Sequence, residues 1–219
     1  MWGKAFEGRI VKNTDPDHVM QAWRIIKLLD ATKESRRHVV VDLGSGFGGM
    51  AEKLAMLASR PLDIVLVDIP LNLANAYVFL ERIFGPAAVN LVATEAELDQ
   101  VAATELDQVA ATRPDGTRFI LAPTLLAHRI PAAFDITLCS NNASFSEMDV
   151  VTVNYYIDVL FNKSNNFIVE TNSNMPSVNS SNHREVESSR FVFSDDFVSL
   201  IKFPHPFIDR YVTSIYERR

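Results

Sequence analysis

The sequence has a single cysteine, Cys139, so no disulfide can close within the chain. That suits a reducing compartment, and the cytoplasm is the expected location. No stretch approaches the ~18 uninterrupted apolar residues of a membrane span. The opening MWGKAFEGRIVKNTDPD lacks the apolar run that marks a signal peptide. Positive charge is also short: 21 Lys and Arg against 27 Asp and Glu leave a formal net charge of -6, which argues against a surface that coats nucleic acid. Glycine is scarce, 8 in 219 residues, yet four of the eight fall between Gly44 and Gly49. Apolar residues are plentiful, 47% of the chain, at a length that suits one large domain or one domain with an appendage.

The apolar pattern alternates between strands and helices. TDPDHVMQAWRIIKLLDAT predicts a helix with Asp15 as its cap, Pro16 in its first turn, and Val19, Ala22, Trp23, Ile26 and Leu29 on its inner face. HVVVDL is short, continuous and β-branched, as a strand buried on both faces would be. After the glycines come a helix (MAEKLAMLAS), a strand ending in an acid (LDIVLVDIP), and a helix (LNLANAYVFLERIF) stopped by Gly85 and Pro86. This is a βαβ unit, which implies a parallel sheet with crossover helices. RFILAP, FDITLCSN and NNFIVETN predict further strands, and RYVTSIYERR is expected to close the sheet edge. DVVTVNYYIDVLFN predicts a helix with Val150, Val153, Tyr156, Ile157 and Leu160 inward. The expected fold class is α/β: a Rossmann-like, mostly parallel sheet with helices on both faces. A helical N-terminal segment is expected over 1–35 and the main domain over 36–219.

Two segments stand apart. ELDQVAAT at 97–104 is followed at once by ELDQVAAT at 105–112. This reads as a recent tandem duplication within a surface helix over 94–112, opened by a Thr94/Glu97 capping box and ended by RPDG at 113–116. Eight residues rotate a helix by roughly 80° beyond two turns, so the insertion is tolerable only where little packs beyond it. From Ser173 to Ser189 the chain is rich in Asn and Ser, and residues 173–206 are expected to form a long loop on the substrate side. Within it, SDDF at 194–197 reads as the start of a helix.

The glycines match the dinucleotide fingerprint Gly44-x-Gly46-x-x-Gly49, with Asp68 22 residues beyond Gly46 to hold a ribose. A nicotinamide or flavin cofactor fits that pattern. Asp42 does not: an acid two residues before Gly44 would repel a pyrophosphate, but would suit the positive amino group of S-adenosylmethionine (SAM). DLGSGFG, an acid-x-Gly-x-Gly-x-Gly run, resembles the first motif of class I SAM-dependent methyltransferases. With VLVDIPLNLANAYVFLERIFG, FDITLCSNNASFSEM and a closing IYERR, the chain resembles the sugar O-methyltransferase family over about residues 36–173 and the C-terminal strand. The first motif is shared very widely; SFSEM, Ser144 to Met148, is the more specific part.

That resemblance implies SAM held by Asp42, Gly44, Ser45, Gly46 and Gly48, with Asp68 gripping both ribose hydroxyls beside Ile69. It places Pro123 near the adenine, and Asn141, or its neighbour Asn142, at the methionine end or the substrate. It implies methyl transfer to a hydroxyl of a sugar or glycosylated small molecule, with no nucleic-acid or membrane partner and a homo-oligomer as one possible assembly. A sugar hydroxyl has a high pKa and needs a base or a metal to take its proton. Glu147 and His205 are the candidate catalytic residues. His183 reads as solvated, and His18, His38 and His128 as structural. The pairs Glu147/Asp149 and Asp195/Asp196 lack diagnostic metal-ligand spacing, so no metal ligand is assigned. Three alternatives stay open: another small-molecule N- or O-methyltransferase, an NAD-dependent oxidoreductase (though no Tyr-x-x-x-Lys accompanies the glycines), and a non-catalytic binding protein of methyltransferase fold.

Overall fold

The computed structural model describes residues 15–32, 37–104, 116–175 and 185–219, together with the backbone of two short strands before them. The second copy of the octapeptide and His183 lie outside the described residues. Strands β1 (Gly3–Phe6) and β2 (Arg9–Lys12) pair antiparallel, so the expected helical segment over 1–35 also contains a hairpin. Helix α1 (Asp15–Ala31) follows, then β3 (His38–Leu43), α2 (Gly49–Leu57), β4 (Leu62–Asp68), α3 (Pro70–Phe84), β5 (Val89–Leu91), α4 (Glu95–Ala102), β6 (Arg118–Pro123), β7 (Leu138–Asn142), α5 (Val150–Val159), β8 (Phe167–Ser173), β9 (Phe197–Pro204) and β10 (Tyr211–Arg218).

The main sheet has eight strands in the order β5-β6-β4-β3-β7-β8-β10-β9. Strands β5 to β8 run parallel, and β10 runs antiparallel to both β8 and β9. The apolar runs become strands covered on both faces. Val40, Ile64, Leu66 and Leu121 join α1, α2 and α3 in one core, while Val41, Val65, Ile120 and Cys139 join α5 in the other. From β3 the chain passes to β4, out to the edge strand β5, back to β6 between them, and then across to β7 on the other side of β3. The order reverses between β3 and β7, and this is where a crevice opens at the C-terminal strand ends of such sheets.

Helix α1 is rotated from its expected setting. Its buried face is Gln21, Ala22, Ile25, Ile26 and Leu29, while Val19 and Trp23 are exposed, Trp23 at 54%. The rotation is anchored by a polar contact: Gln21 Nε2 donates to Thr171 Oγ1 at 2.8 Å, and Thr171 in turn bonds Thr213. Helix α5 buries Val153 and Ile157, with Leu160 just beyond its end, as expected; Val150 and Tyr156 are half-buried. The C-terminal strand does not close the sheet. It lies one place in, and β9, from the stretch expected to be loop, forms the edge. SDDF is a turn into β9 rather than a helix start, with Phe197 N donating to Ser194 O. Most of β9 is exposed, so its residues show no alternation to betray a strand. Among the described residues no helix is long and apolar enough to cross a membrane.

The repeat is anchored where its first copy ends. Helix α4 begins with the expected capping box: Thr94 Oγ1 accepts from Glu97 N, and Glu97 Oε2 accepts from Thr94 N at 3.0 Å. Beyond its other end, Arg118 Nη1 donates to the carbonyls of Val101 and Thr104. Arg118 also makes a two-pronged ion pair with buried Asp63, at 2.7 and 2.6 Å. Arg37 reaches the same carboxylate at 2.7 Å and donates to the carbonyl of Gly116. One carboxylate therefore pins both flanks, Thr104 and Gly116, of the second copy. Deleting 105–112 leaves three residues to join those flanks. The clamp holds both flanks without the second copy, so the deletion variant should be soluble and melt close to the wild type. Asp63→Asn leaves two guanidinium groups without their counter-charge and should cost about 3–5 kcal/mol. Calorimetric melting of the two variants tests both; an insoluble deletion variant would refute the anchoring argument.

Candidate functional site

At the C-terminal end of β3 the chain turns sharply into the glycine loop. Gly44 N donates to Val67 O at 2.7 Å, drawing the loop toward β4. Gly44 has φ +76°, and a Cβ there would lie 1.9 Å from Ser144 Oγ, so no other residue fits without displacing the turn after β7. Gly46 has φ +56° and nothing within 4 Å of a notional Cβ; its bare backbone faces open space. Gly48 caps α2, and its notional Cβ would press on Leu80 at 3.1 Å, which makes it a packing residue between α2 and α3. Gly49 lets α1 approach: a Cβ there would lie 2.5 Å from His18. The four glycines of the loop thus divide into two for the crevice and two for helix packing.

The crevice has a volume of about 420 Å³ and is lined by Gly44, Gly46, Asp68, Ile69, Asn72, Asn142, Ala143, Ser144, Glu147 and Met148. Asp68, the last residue of β4, organises one corner. Its Oδ2 accepts from Gly46 N at 2.7 Å, and its Oδ1 accepts from Ile69 N at 2.7 Å and Asn72 Nδ2 at 2.9 Å. Asn72 is absent from the sequence-based set. The readable signal is its place four residues after Asp68, at the start of a helix, where the two side chains meet.

The opposite wall is the end of β7 and the turn Ser144–Glu147. Ala143 holds φ +71°, a conformation that costs a non-glycine residue on the order of 1–2 kcal/mol. Asn142 sends its Nδ2 to Asp17 Oδ2 on α1 at 2.9 Å. Glu147 is exposed and faces the crevice. It also lines a second cavity of about 440 Å³, bounded by Asp149, Glu185, Val186, Glu187 and Arg190. Among the described residues only Glu147 and Met148 line both chambers.

The structure brings Gly44, Gly46, Asp68, Ile69 and Glu147 together in the crevice, and Ser45 sits between the two glycines. Ser45 Oγ is buried and without a hydrogen-bond partner among the described residues. Other candidates fall beneath the crevice. Asn141 spends its whole amide on structure: Nδ2 donates to Leu43 O and Ser144 Oγ, and Oδ1 accepts from Phe145 N and Asn172 Nδ2. Pro123 is buried in the ladder opposite Asp68 and does not line the crevice. Asp42 is buried in the strand below the loop, bonded to Ser140 Oγ at 3.1 Å. Burial pushes its carboxyl up to about 7, the Ser140 bond opposes the rise, and the charge of Asp68 adds to it.

His205 is outside the crevice and buried. Its Nδ1 accepts from Phe207 N at 3.2 Å and Ile208 N at 3.1 Å, and its Nε2 meets Asp17 Oδ1 at 2.8 Å. A general base needs an exposed lone pair, and here both ring nitrogens are engaged, so the geometry does not support His205 as the base. Among the described residues no three His, Cys, Asp or Glu side chains are grouped to hold a metal ion.

Several solved structures superpose on the chain. Mitomycin 7-O-methyltransferase MmcR does so with a TM-score of 0.55 at 11% identity, over 94% of this chain and 54% of its own. Magnesium protoporphyrin IX methyltransferase (ChlM) from Synechocystis PCC 6803, solved with bound SAM, gives 0.55 at 11% identity, over 97% of this chain and 87% of its own. An O-methyltransferase family protein from Burkholderia thailandensis gives 0.52 at 11% identity, over 93% of this chain and 58% of its own. The chain therefore spans about half the length of the mitomycin enzyme and most of ChlM. No family model matches the sequence, and no curated protein is significantly similar to it. At these identities the likeness is one of architecture: an eight-stranded, mostly parallel sheet between helices, the Rossmann-like methyltransferase fold.

Proposed function

We propose that the chain is a SAM-dependent methyltransferase that methylates a hydroxyl of a small molecule, with a sugar or glycosylated compound as acceptor and the cytoplasm as its location. The observation that carries the reading is the crevice at the strand-order reversal. There a bare Gly46 and the Asp68–Asn72 corner face the Asn142–Glu147 wall across one cleft. The solved neighbours of the same fold include ChlM with SAM bound, and O-methyltransferases by name. The sugar acceptor rests on the sequence resemblance around SFSEM.

The residues present fit SAM. The open space at Gly46 admits a ligand against the backbone. The Asp68 carboxylate, held by Gly46 N, Ile69 N and Asn72 Nδ2, keeps one acceptor position on Oδ2 for a ribose hydroxyl. SAM brings an activated methyl group on a positively charged sulfur. The protein's tasks are to align the acceptor oxygen with that methyl, exclude water and receive one proton. Glu147 is the one titratable side chain lining both chambers, so we assign it that proton: as the acceptor oxygen gains the methyl group, its hydrogen passes to the Glu147 carboxylate. His205 is reassigned from base to structure.

S-adenosylhomocysteine (SAH) should raise the melting temperature and NAD should not. A ligand at 100 times its Kd adds about 2.7 kcal/mol, a shift on the order of 5–10 °C for a domain of this size. A shift with NAD alone would overturn the assignment. Asp68→Ala should weaken SAH binding while leaving the ligand-free melting temperature within a few degrees of wild type.

Asp42 makes the ligand-free protein pH-sensitive. Its folded value of about 7 exceeds the ordinary 3.8, so between those values the folded chain keeps a proton that the unfolded chain has shed. This contribution to stability is complete below pH 3.8 and is lost as pH rises through about 7. Asp42→Asn should therefore match wild type near pH 4 and exceed it above pH 7. SAH is a zwitterion whose α-ammonium group favours the ionised acid, so wild-type affinity for SAH should rise from pH 6 to 8, and Asp42→Asn should flatten that rise. Melting curves and titration calorimetry across this range read both effects.

A further inference from the structure

Asn142 ends β7 and lines the crevice, but its orientation is set elsewhere. Its Nδ2 donates to Asp17 Oδ2 at 2.9 Å. A carboxylate only accepts, so this bond decides which way the amide faces: the nitrogen turns toward α1 and Oδ1 is the end left for other partners. No described residue donates to that Oδ1. Asp17 is held in turn by His205, whose Nε2 lies 2.8 Å from Asp17 Oδ1. The tautomer of His205 is also decided. Two backbone N–H groups, of Phe207 and Ile208, point at Nδ1, so Nδ1 carries the lone pair and Nε2 carries the hydrogen. The turn between β9 and β10 thus fixes the imidazole, the imidazole fixes Asp17, and Asp17 fixes the amide.

The Asp17 carboxylate lies directly behind the amide, and the Arg24 guanidinium, two turns further along α1, interacts with it from the side. An amide oxygen backed by a carboxylate is a better acceptor for a cation than for a neutral hydroxyl.

We propose that Asp17 and His205 are positioning residues that present Asn142 Oδ1 to the α-ammonium group at the methionine end of the cofactor. The proposal rests on the SAM reading above. It makes α1, and the turn at Phe207–Ile208, part of the binding apparatus although neither residue of the relay lines the crevice.

The test separates the two halves of the ligand. SAH carries the ammonium group, whereas 5′-methylthioadenosine carries the adenosine and sulfur without the amino-acid tail. Asp17→Asn can satisfy only one of its two donors, because its own amide nitrogen must face either His205 or Asn142. By calorimetry it should weaken SAH on the order of tenfold or more while leaving methylthioadenosine unchanged, which also reports an intact fold. Combining Asp17→Asn with Asn142→Asp should restore SAH affinity. In that pair the new amide accepts from His205 and donates to the new carboxylate, which still turns an oxygen to the cleft. Equal loss for both ligands, no loss for either, or failure of the paired substitution to restore SAH would overturn the relay. If wild type binds neither ligand, the SAM reading falls and the relay falls with it.

Discussion

The turns that leave two neighbouring parallel strands meet at Gly44 and Ser144, with no room for even a methyl group between them. This closeness sets the shape of the crevice. It lets Asn141 reach Leu43 O at 2.8 Å and Ser144 Oγ at 2.6 Å, tying the loop after β3 to the turn after β7. The turn itself requires Ala143 to hold a positive φ. That strain is offset by its N–H bond to Thr171 O at 2.7 Å and by its carbonyl, which accepts from Ser146 N at 3.1 Å. If the loop and turn separated, Glu147 and Asp68 would no longer face each other across one cleft.

Beneath the crevice the sheet carries polar groups where its middle carries only apolar ones. Asn172 links Asn141 to Glu170 through Nδ2, and its Oδ1 accepts from Ser146 N and Oγ. Glu170 is fully buried, and that burial pushes its carboxyl upward. Buried polar groups cost stability unless they are bonded, and an apolar layer would pack at less cost. What the polar layer provides is fixed orientation: most of its amide and hydroxyl groups have partners that decide which way they point. On the proposed function, aligning a methyl donor with an acceptor oxygen needs that rigidity, because small misplacements lower the rate steeply.

The sequence made the central strands legible because parallel strands covered on both faces are continuous β-branched runs, as in HVVVDL and LDIVLVDIP. The same logic hid β9, whose exposed residues at the sheet edge carry no such signature. Helical periodicity located α1 but misjudged its face, since Gln21 is buried through a bond to Thr171, 150 residues away. Gly44, Gly46 and Asp68 were readable because the loop constrains residue type at fixed spacing. Asn72 and Asp17 were not: an amide and an acid on helices are ordinary until the fold brings Asn72 to the cleft and Asp17 behind Asn142. His205 invited the role of base because two prolines hold it. Its lone pair is taken by backbone groups that no spacing rule reveals.

Strand β4 holds the flanks of the eight-residue repeat apart from the site. It carries Asp63 near one end and Asp68 at the other, about 17 Å apart at ~3.3 Å per residue. Asp63 is wholly engaged in structure, clamping Arg37 and Arg118, and through them the flanks of the repeat, at the N-terminal strand ends. Asp68 is engaged with the crevice at the C-terminal ends. The two acids lie at opposite rims of a doubly covered sheet, so a change in chain length between the pinned flanks should be absorbed there and leave Asp68 in place. The parallel topology itself makes this separation, since every crossover returns the chain to the N-terminal rim before it enters the next strand. Insertions at that rim alter connections, whereas changes at the other rim alter the site.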